Sequence, residues 1–399
     1  MTTVSQMDLL PFFLILCMAT SGMSIMTNSL LSPSFNVVSY GAVGNGKTDD
    51  SKAFMKAWSA VCHGQSHDAH LIIPPKTFLL KPVKFSGPCK ASRITVQVLG
   101  KLVASTNKRA FNGNYWLLFH KVKGLTLWGK GSIDGKGSAW WQQHDSDFRP
   151  AALKFYECPG MVLKGLTHLN SQKQHIVITK CHGALISKIK VIAPEDSPNT
   201  DGINIASSKN VRVQRSHIST GDDCIAISAG SSNIKIKGMT CAPSHGISIG
   251  ALGDPGKPDE SVEKVDVSDC TFKGPGIGVR IKTWQGGRGR VRNISYKNIE
   301  VQEVGTPIVI DQFYCPRGGC KNNSDAVRVS DVSYSGIRGT YTRDDAMSLL
   351  CSQNAACTNI VLDNINLRTM DPKKAAKVKC FNVKGRSQDV KPVVDCLSH

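Results

Sequence analysis

The sequence predicts an all-β chain wound as a parallel β-helix, a solenoid closed at its N-terminal end by one short helix. Three observations carry this. An apolar-x-apolar-x-x-apolar pattern recurs after residue 160. Gly is frequent, at 36 residues, while aromatics make up only 7%, which suits short strands and tight turns. No linker or low-complexity stretch divides the chain, so one continuous core is expected despite its 399 residues.

The repeat reads Met161/Leu163/Leu166, Ala184/Ile186/Ile189, Ile234/Ile236/Met239 and Val265/Val267/Cys270. It continues at Ile294/Tyr296/Ile299, Val332/Tyr334/Ile337 and Ile360/Leu362/Ile365, and Val211/Val213 begins another copy with Ser216 third. Each apolar pair is a half-buried strand, and the third apolar residue starts the next inward face after a bend. Asp269, Asn298 and Asn364 fall at these bends, where their side chains favour turning. The pattern gives coils of roughly 23 to 38 residues, the longer ones carrying insertions.

The N-terminus reads as a secretory signal over residues 1–24, leaving 25–399 as a single domain. Leu9–Met18 is apolar and too short to span a bilayer, and small residues follow at Ala19, Ser21 and Ser24. Cleavage is expected between Ala19 and Thr27. The n-region lacks Lys and Arg and carries Asp8. No later stretch suits a membrane helix.

Of fourteen Cys, Cys17 leaves with the signal, and the remaining odd number leaves at least one thiol unpaired within the chain. Close pairs suggest staples at Cys315/Cys320, Cys351/Cys357, Cys380/Cys396, Cys224/Cys241 and Cys62/Cys89. Cys270, at an inward position, is the expected buried free thiol. No C-x-x-C occurs, so zinc-ribbon and thioredoxin-type sites lack support. Asn293-Ile-Ser and Asn322-Asn-Ser match the glycan acceptor pattern.

Phe35–Asp50 is a short β-run meeting a Gly-rich turn, with Asp49 or Asp50 placed to cap a helix. Ser51–Cys62 sets Phe54, Ala57, Trp58 and Val61 at helical spacing, an amphipathic cap over the open end of the core. Gly44-Asn-Gly lacks the context of a nucleotide loop. Short β-runs occupy Leu71–Val103, and Trp140–Trp141 is read as end packing of the core.

The chemistry lies between His175 and Tyr314. Asp201, Asp222–Asp223 and His245 recur about every 22 residues, so successive coils stack them on one face at ~4.8 Å spacing. His175 and Asn199 precede them; Arg280, Lys282 and Tyr314 come after. Alone, an Asp-Asp pair is usually a solvated turn and a lone His structural; the aligned spacing makes the set a site. Carboxylates sharing a partly desolvated cleft cannot all ionise freely, so one is held protonated beside ionised bases, as sugar-chain hydrolysis requires. Arg280 and Lys282, two apart on a strand, face the same way and form a cationic slot for a carboxylate. The net charge of +19 points likewise to a polyanion.

These residues carry a family resemblance. SPNTDG (197–202), GDDC (221–224), SHGISIG (244–250) and RIKTW (280–284) resemble the four signature motifs of polygalacturonases, the pectin hydrolases of glycoside hydrolase family 28. SYGAVGNGKTDD (39–50), SIDGKGSAWW (132–141) and DQFYC (311–315) extend the likeness to plant members. The resemblance implies a right-handed parallel β-helix that hydrolyses α-1,4-linked galacturonan with inversion, without metal or cofactor. By motif, Asp222 resembles the general acid, Asp201 and Asp223 the pair that activates water, and His245 the histidine tuning the acid. Arg280 and Lys282 resemble the residues that bind the substrate carboxylate, Tyr314 a substrate-binding tyrosine, and Asn199 lies beside the site. Two positions depart from the pattern: Ala242-Pro-Ser-His-Gly stands where G-P-G-H-G is usual, and Asn45 where Asp is usual. If the residue before His245 needs positive φ or a close approach of the substrate, Ser244 carries a cost that a glycine would not, shifting the histidine and slowing turnover.

The expected partner is thus an acidic polysaccharide, polygalacturonic acid or pectin, met by a secreted monomer at the cell wall. Nucleic acid is disfavoured because no recognition module accompanies the charge. A Ca²⁺-dependent pectate lyase of the same fold and a non-catalytic wall-binding protein are the competing readings. Internal or chain-end attack depends on loops around the cleft rather than on these motifs.

Overall fold

A computed structural model describes Thr2 and residues 33–397, apart from 143–147, 255, 317, 319, 321–324, 372 and 374. The expected signal segment, Cys17 and the Asn322 acceptor lie outside the described residues. Ser32–His399 packs as one compact unit.

The apolar repeat folds into two parallel sheets, one of 21 strands and one of 11, whose strands pair with the coils before and after. The coils wind right-handed. Every repeat residue named above is buried, including Ser216 and Cys270. Register stacks like on like: Ile234 pairs with Val265, Val265 with Ile294, Ile294 with Val332 and Val332 with Ile360. In the parallel column two residues on, where Val267, Tyr296, Tyr334 and Leu362 pair, Tyr296 and Tyr334 stack at 5.1 Å. The bend residues Asp269, Asn298 and Asn364 adopt φ of 54°, 55° and 50°, the left-handed region that Asn and Asp tolerate. Asn298 Nδ2 donates to Asp269 Oδ1 at 2.7 Å across coils.

The N-terminal helix forms over Ser51–His63 and buries Phe54, Ala57, Trp58 and Val61 on the end of the core. Phe54 meets Phe78 edge-on, and Trp58 Nε1 donates to the Ser86 carbonyl. Asp50 occupies the N-cap position without capping the helix. Its carboxylate instead accepts the Val43 and Gly44 amides, at 2.7 and 3.1 Å, and so fastens the preceding loop. Asp49 Oδ1 accepts the Ser51 amide in its place. Trp140 is buried edge-on to Phe111, whereas Trp141 is half-buried and donates Nε1 to the Ser171 carbonyl at 3.0 Å.

All five anticipated disulfides are formed: Cys62–Cys89, Cys224–Cys241, Cys315–Cys320, Cys351–Cys357 and Cys380–Cys396. Cys158 and Cys181 join Cys270 as buried free thiols. Asn293, the other glycan acceptor motif, stands exposed at a bend.

Candidate active site

The 11-stranded sheet is the floor of the site. Its strands Ile176–Thr179, Ile203–Ala206, Ile225–Ile227, Ile247–Leu252, Ile277–Trp284 and Thr306–Tyr314 lie side by side in chain order. A buried rung of Ile176, Ile203, Ile225, Ile247, Val279 and Ile308 fixes the register. Two residues before the rung on three successive coils stand Asp201, Asp223 and His245. One residue after it, on the opposite pleat, stand Asn204, Ala226, Ser248 and Arg280. Cross-coil ladder bonds continue through the bend: Gly202 N donates to Asp223 O, and His245 N to Asp222 O, both at 2.9 Å.

Three carboxylates thereby receive three different partner sets. Asp201 is 8% exposed, and its carboxylate accepts Asn204 Nδ2 at 2.9 Å. Burial, followed by the charges of Asp222 and Asp223, raises its pKa well above the carboxylate range. Asp222 accepts its neighbour's amide at 2.7 Å, Asn199 Nδ2 at 3.3 Å, and sits 3.2 Å from His245 Nδ1. Burial disfavours its charge, but the His245 contact, the Asp223 amide and Lys282 outweigh it and lower the pKa. Asp223, 2% exposed, accepts Ser248 Oγ at 2.7 Å, Arg280 Nη2 at 3.0 Å and Lys282 Nζ at 3.1 Å. The unequal carboxyls that the spacing predicts therefore have a direction: burial and its acidic neighbours push Asp201 toward its protonated form, while its partners pull Asp222 toward the ionised one.

Arg280 and Lys282 do converge, with side chains only 13% and 10% exposed, but they are clamped on Asp223 rather than left open. Arg280 Nε also donates to Ser248 Oγ at 3.2 Å. Tyr314 joins them: Lys282 Nζ lies 5.4 Å from its ring, and Trp284 meets it edge-on at 5.3 Å. His175 does not belong to this face. It pairs in register with Gly202 rather than Asp201, one residue off the carboxylate row, and is fully buried. Its Nε2 accepts the Ser171 amide and its Nδ1 faces the Thr200 and Asp201 carbonyls, so it supports Asp201 from beneath. Burial lowers its pKa to about 4.

Asn204, Ser248, Thr200 and Arg149 are site residues that motif spacing does not single out. Asn204 and Ser248 were legible in principle, because they share Arg280's position one residue after the rung. Thr200 Oγ1 accepts the Gly221 amide at 3.2 Å, tying the Asp201 turn to the Asp222 turn.

Ser244 lies outside the positive-φ region, so its side chain imposes no strain before His245. Positive φ falls on Gly246, at +72°, where a Cβ would stand 1.9 Å from the Gly278 carbonyl oxygen. Ser244 Oγ instead accepts the Gly246 amide at 3.2 Å. Ser244→Gly is therefore expected to leave kcat within about 3-fold and to cost about 1 kcal/mol of stability by losing that bond and loosening the loop. Urea unfolding and steady-state rates check this; a large gain in rate would restore the strained-loop idea.

Asp201 also gives the protein a pH signature. A carboxyl with a raised folded-state pKa binds its proton more tightly folded than unfolded. Its contribution favours folding below the unfolded value of ~3.9 and is lost as pH rises through the folded value. Wild-type melting temperature should fall over that rise relative to Asp201→Asn, which has no proton to lose. Parallel melting curves from pH 4 to 8 for the two proteins would remove Asp201 as the protonated group.

Among the described residues, Asp222, Asp223 and His245 bring ligand atoms within 4.8 Å of one another, the spacing of a metal site. The donor set does not fit one. Both Asp223 oxygens already carry cations, and Ca²⁺ would want ~6–8 oxygen ligands.

The sequence profile described as glycosyl hydrolases family 28 matches residues 62–390. A probable polygalacturonase from Arabidopsis thaliana is 46% identical over 376 residues, covering 92% of this chain and 81% of that protein. A polygalacturonase from Malus domestica is 40% identical over 370 residues, covering 90% and 78%. Among solved structures, an endo-xylogalacturonan hydrolase from Aspergillus tubingensis superposes with TM-score 0.77 at 23% identity, covering 88% of this chain and 96% of its own. An exopolygalacturonase from Thermotoga maritima gives TM-score 0.70 at 18% identity, covering 84% and 89%. The structural likeness speaks for the shared fold, while the motifs, the profile and the plant relatives identify the lineage: the chain belongs to glycosyl hydrolases family 28, among its plant-type polygalacturonases.

Proposed function

We propose that this protein is a secreted enzyme that hydrolyses α-1,4-galacturonosyl linkages of de-esterified pectin at the cell wall, with inversion and without a metal. The observation that carries the reading is the unequal treatment of three neighbouring carboxylates beside a cationic pair and a tyrosine. Asp222 is the acid that protonates the leaving glycosidic oxygen. Asp201 and Asp223 orient and deprotonate the attacking water, and His245 tunes Asp222. Arg280, Lys282 and Tyr314 take the sugar ring and its carboxylate, with Asn199 at the edge.

Substrate binding redistributes the charges around Asp222. A galacturonate carboxylate drawn to Arg280 and Lys282 brings negative charge and divides the attention of the cations that hold Asp223 and help ionise Asp222. Water leaves as the sugar enters. Both changes favour the protonated form of Asp222, so a proton favoured on Asp201 is shared within a coupled set. Five disulfides support an oxidising compartment. All the named side chains come from one chain, consistent with a working monomer.

The test is polygalacturonic acid at mildly acidic pH with chelator present. Reducing ends should appear, the first product should be the β-anomer by NMR, and no unsaturated product should absorb in the ultraviolet. Unsaturated products that vanish with chelator would establish the lyase. Salt-sensitive binding without cleavage would establish the wall-binding protein that the +19 charge also suits.

A further inference from the structure

We propose that Arg149 is a positioning residue that acts through Asn199 to fix Asp222 in the site. It rests on the reading of Asp222 as the acid. Arg149 enters from outside the signature motifs, two residues before the strand Ala151–Tyr156 of the same floor sheet, and is 4% exposed. Its Nη1 donates to the Pro198 carbonyl at 2.8 Å and its Nη2 to Asn199 Oδ1 at 2.6 Å. One guanidinium thus grips both the backbone and the side chain of the turn that carries Asn199, whose φ is 52°.

The chemistry of the contact decides the amide's orientation. Guanidinium has only donors, so it must meet the Asn199 oxygen. The nitrogen is then forced to the other side, where Nδ2 donates to Asp222 Oδ2 at 3.3 Å. A flipped amide would set oxygen against carboxylate oxygen. Arg149 therefore guarantees a donor, rather than an acceptor, beside Asp222. A lysine could not do the same, because a single ammonium cannot make two divergent planar bonds.

The experiment compares wild type, Arg149→Gln, Arg149→Lys and Asn199→Ala. Carboxyl ¹³C NMR follows Asp222, its resonance identified by loss in Asp222→Asn, and kcat and KM are measured across pH on polygalacturonic acid. Arg149→Gln should raise the Asp222 midpoint by about one pH unit, equivalent to about tenfold tighter proton binding. The alkaline limb of kcat should move with it, and kcat should fall about 10- to 100-fold with KM within about 3-fold. Arg149→Lys should behave like the Gln variant. A double Arg149→Gln/Asn199→Ala protein should be no worse than the poorer single one.

An Asp222 midpoint and pH limb unmoved in folded Arg149→Gln would overturn the proposal, as would losses that multiply in the double variant. Should Arg149→Gln fail to fold, Asn199→Ala decides by the same titration, since removing the intermediary must raise the midpoint equally. An inert wild type would sink the hydrolase reading alone, because the titration still reports the Arg149–Asn199–Asp222 contact.

Discussion

Asp222→Asn should cut kcat on polygalacturonic acid by about 10²- to 10⁴-fold, the usual worth of a positioned acid, with KM little changed. The substitution keeps the size of the group and an oxygen for the Asp223 amide, which Asp222 Oδ1 accepts at 2.7 Å. What it removes is the proton and the charge facing His245. Because Asp222 lies on a bend tied by the His245 N–H to its carbonyl, the backbone stays in place. Folding should be retained, as read by an unchanged melting transition. Steady-state rates on purified protein decide the matter; a variant keeping more than a tenth of wild-type kcat would move the acid's role elsewhere, with Asp201 the next carboxyl to test.

Asp223→Ala should be the most destabilising single change in the cleft, by about 3–5 kcal/mol, because it strands two buried cations rather than deleting one favourable contact. Arg280 and Lys282 both point at Asp223 and at nothing else acidic within hydrogen-bond distance among the described residues. Without it both cations lose the carboxylate that each contacts. The loss should shrink in acetate or formate buffer, since a small carboxylate entering the vacancy restores the counter-charge. Urea unfolding with and without acetate provides the measurement. A loss under about 1 kcal/mol, or one indifferent to acetate, would mean that solvent already screens the pair. The anion effect also bears on function, as acetate there occupies the slot proposed for the sugar carboxylate.

Much of this architecture was legible because a solenoid converts sequence interval directly into spatial stacking. Asp201, Asp223 and His245 recur at the period of the apolar rung, so their alignment follows once Ile203, Ile225 and Ile247 are known to pair. His175 shows how fine that reading must be. A single residue of register separates a cleft-facing position from a buried one, and no count of intervals detects it. Ser244 is a related case: the chain departs from the family pattern, yet the residue that needs the left-handed conformation is Gly246.

The sequence by itself determined the repeat, the closing helix and the shared row of Asp201, Asp223 and His245, and it suggested the disulfide pairs without fixing them. These arise from periodicity and local reach, quantities set by covalent geometry. Only the tertiary structure decided which carboxyl keeps its proton, that Arg280 and Lys282 are held by an acid 57 and 59 residues away, and that Arg149 reaches Asn199 across 50 residues. Those outcomes depend on burial and on through-space distances of a few ångströms. Electrostatic energy varies with both, while sequence separation fixes neither.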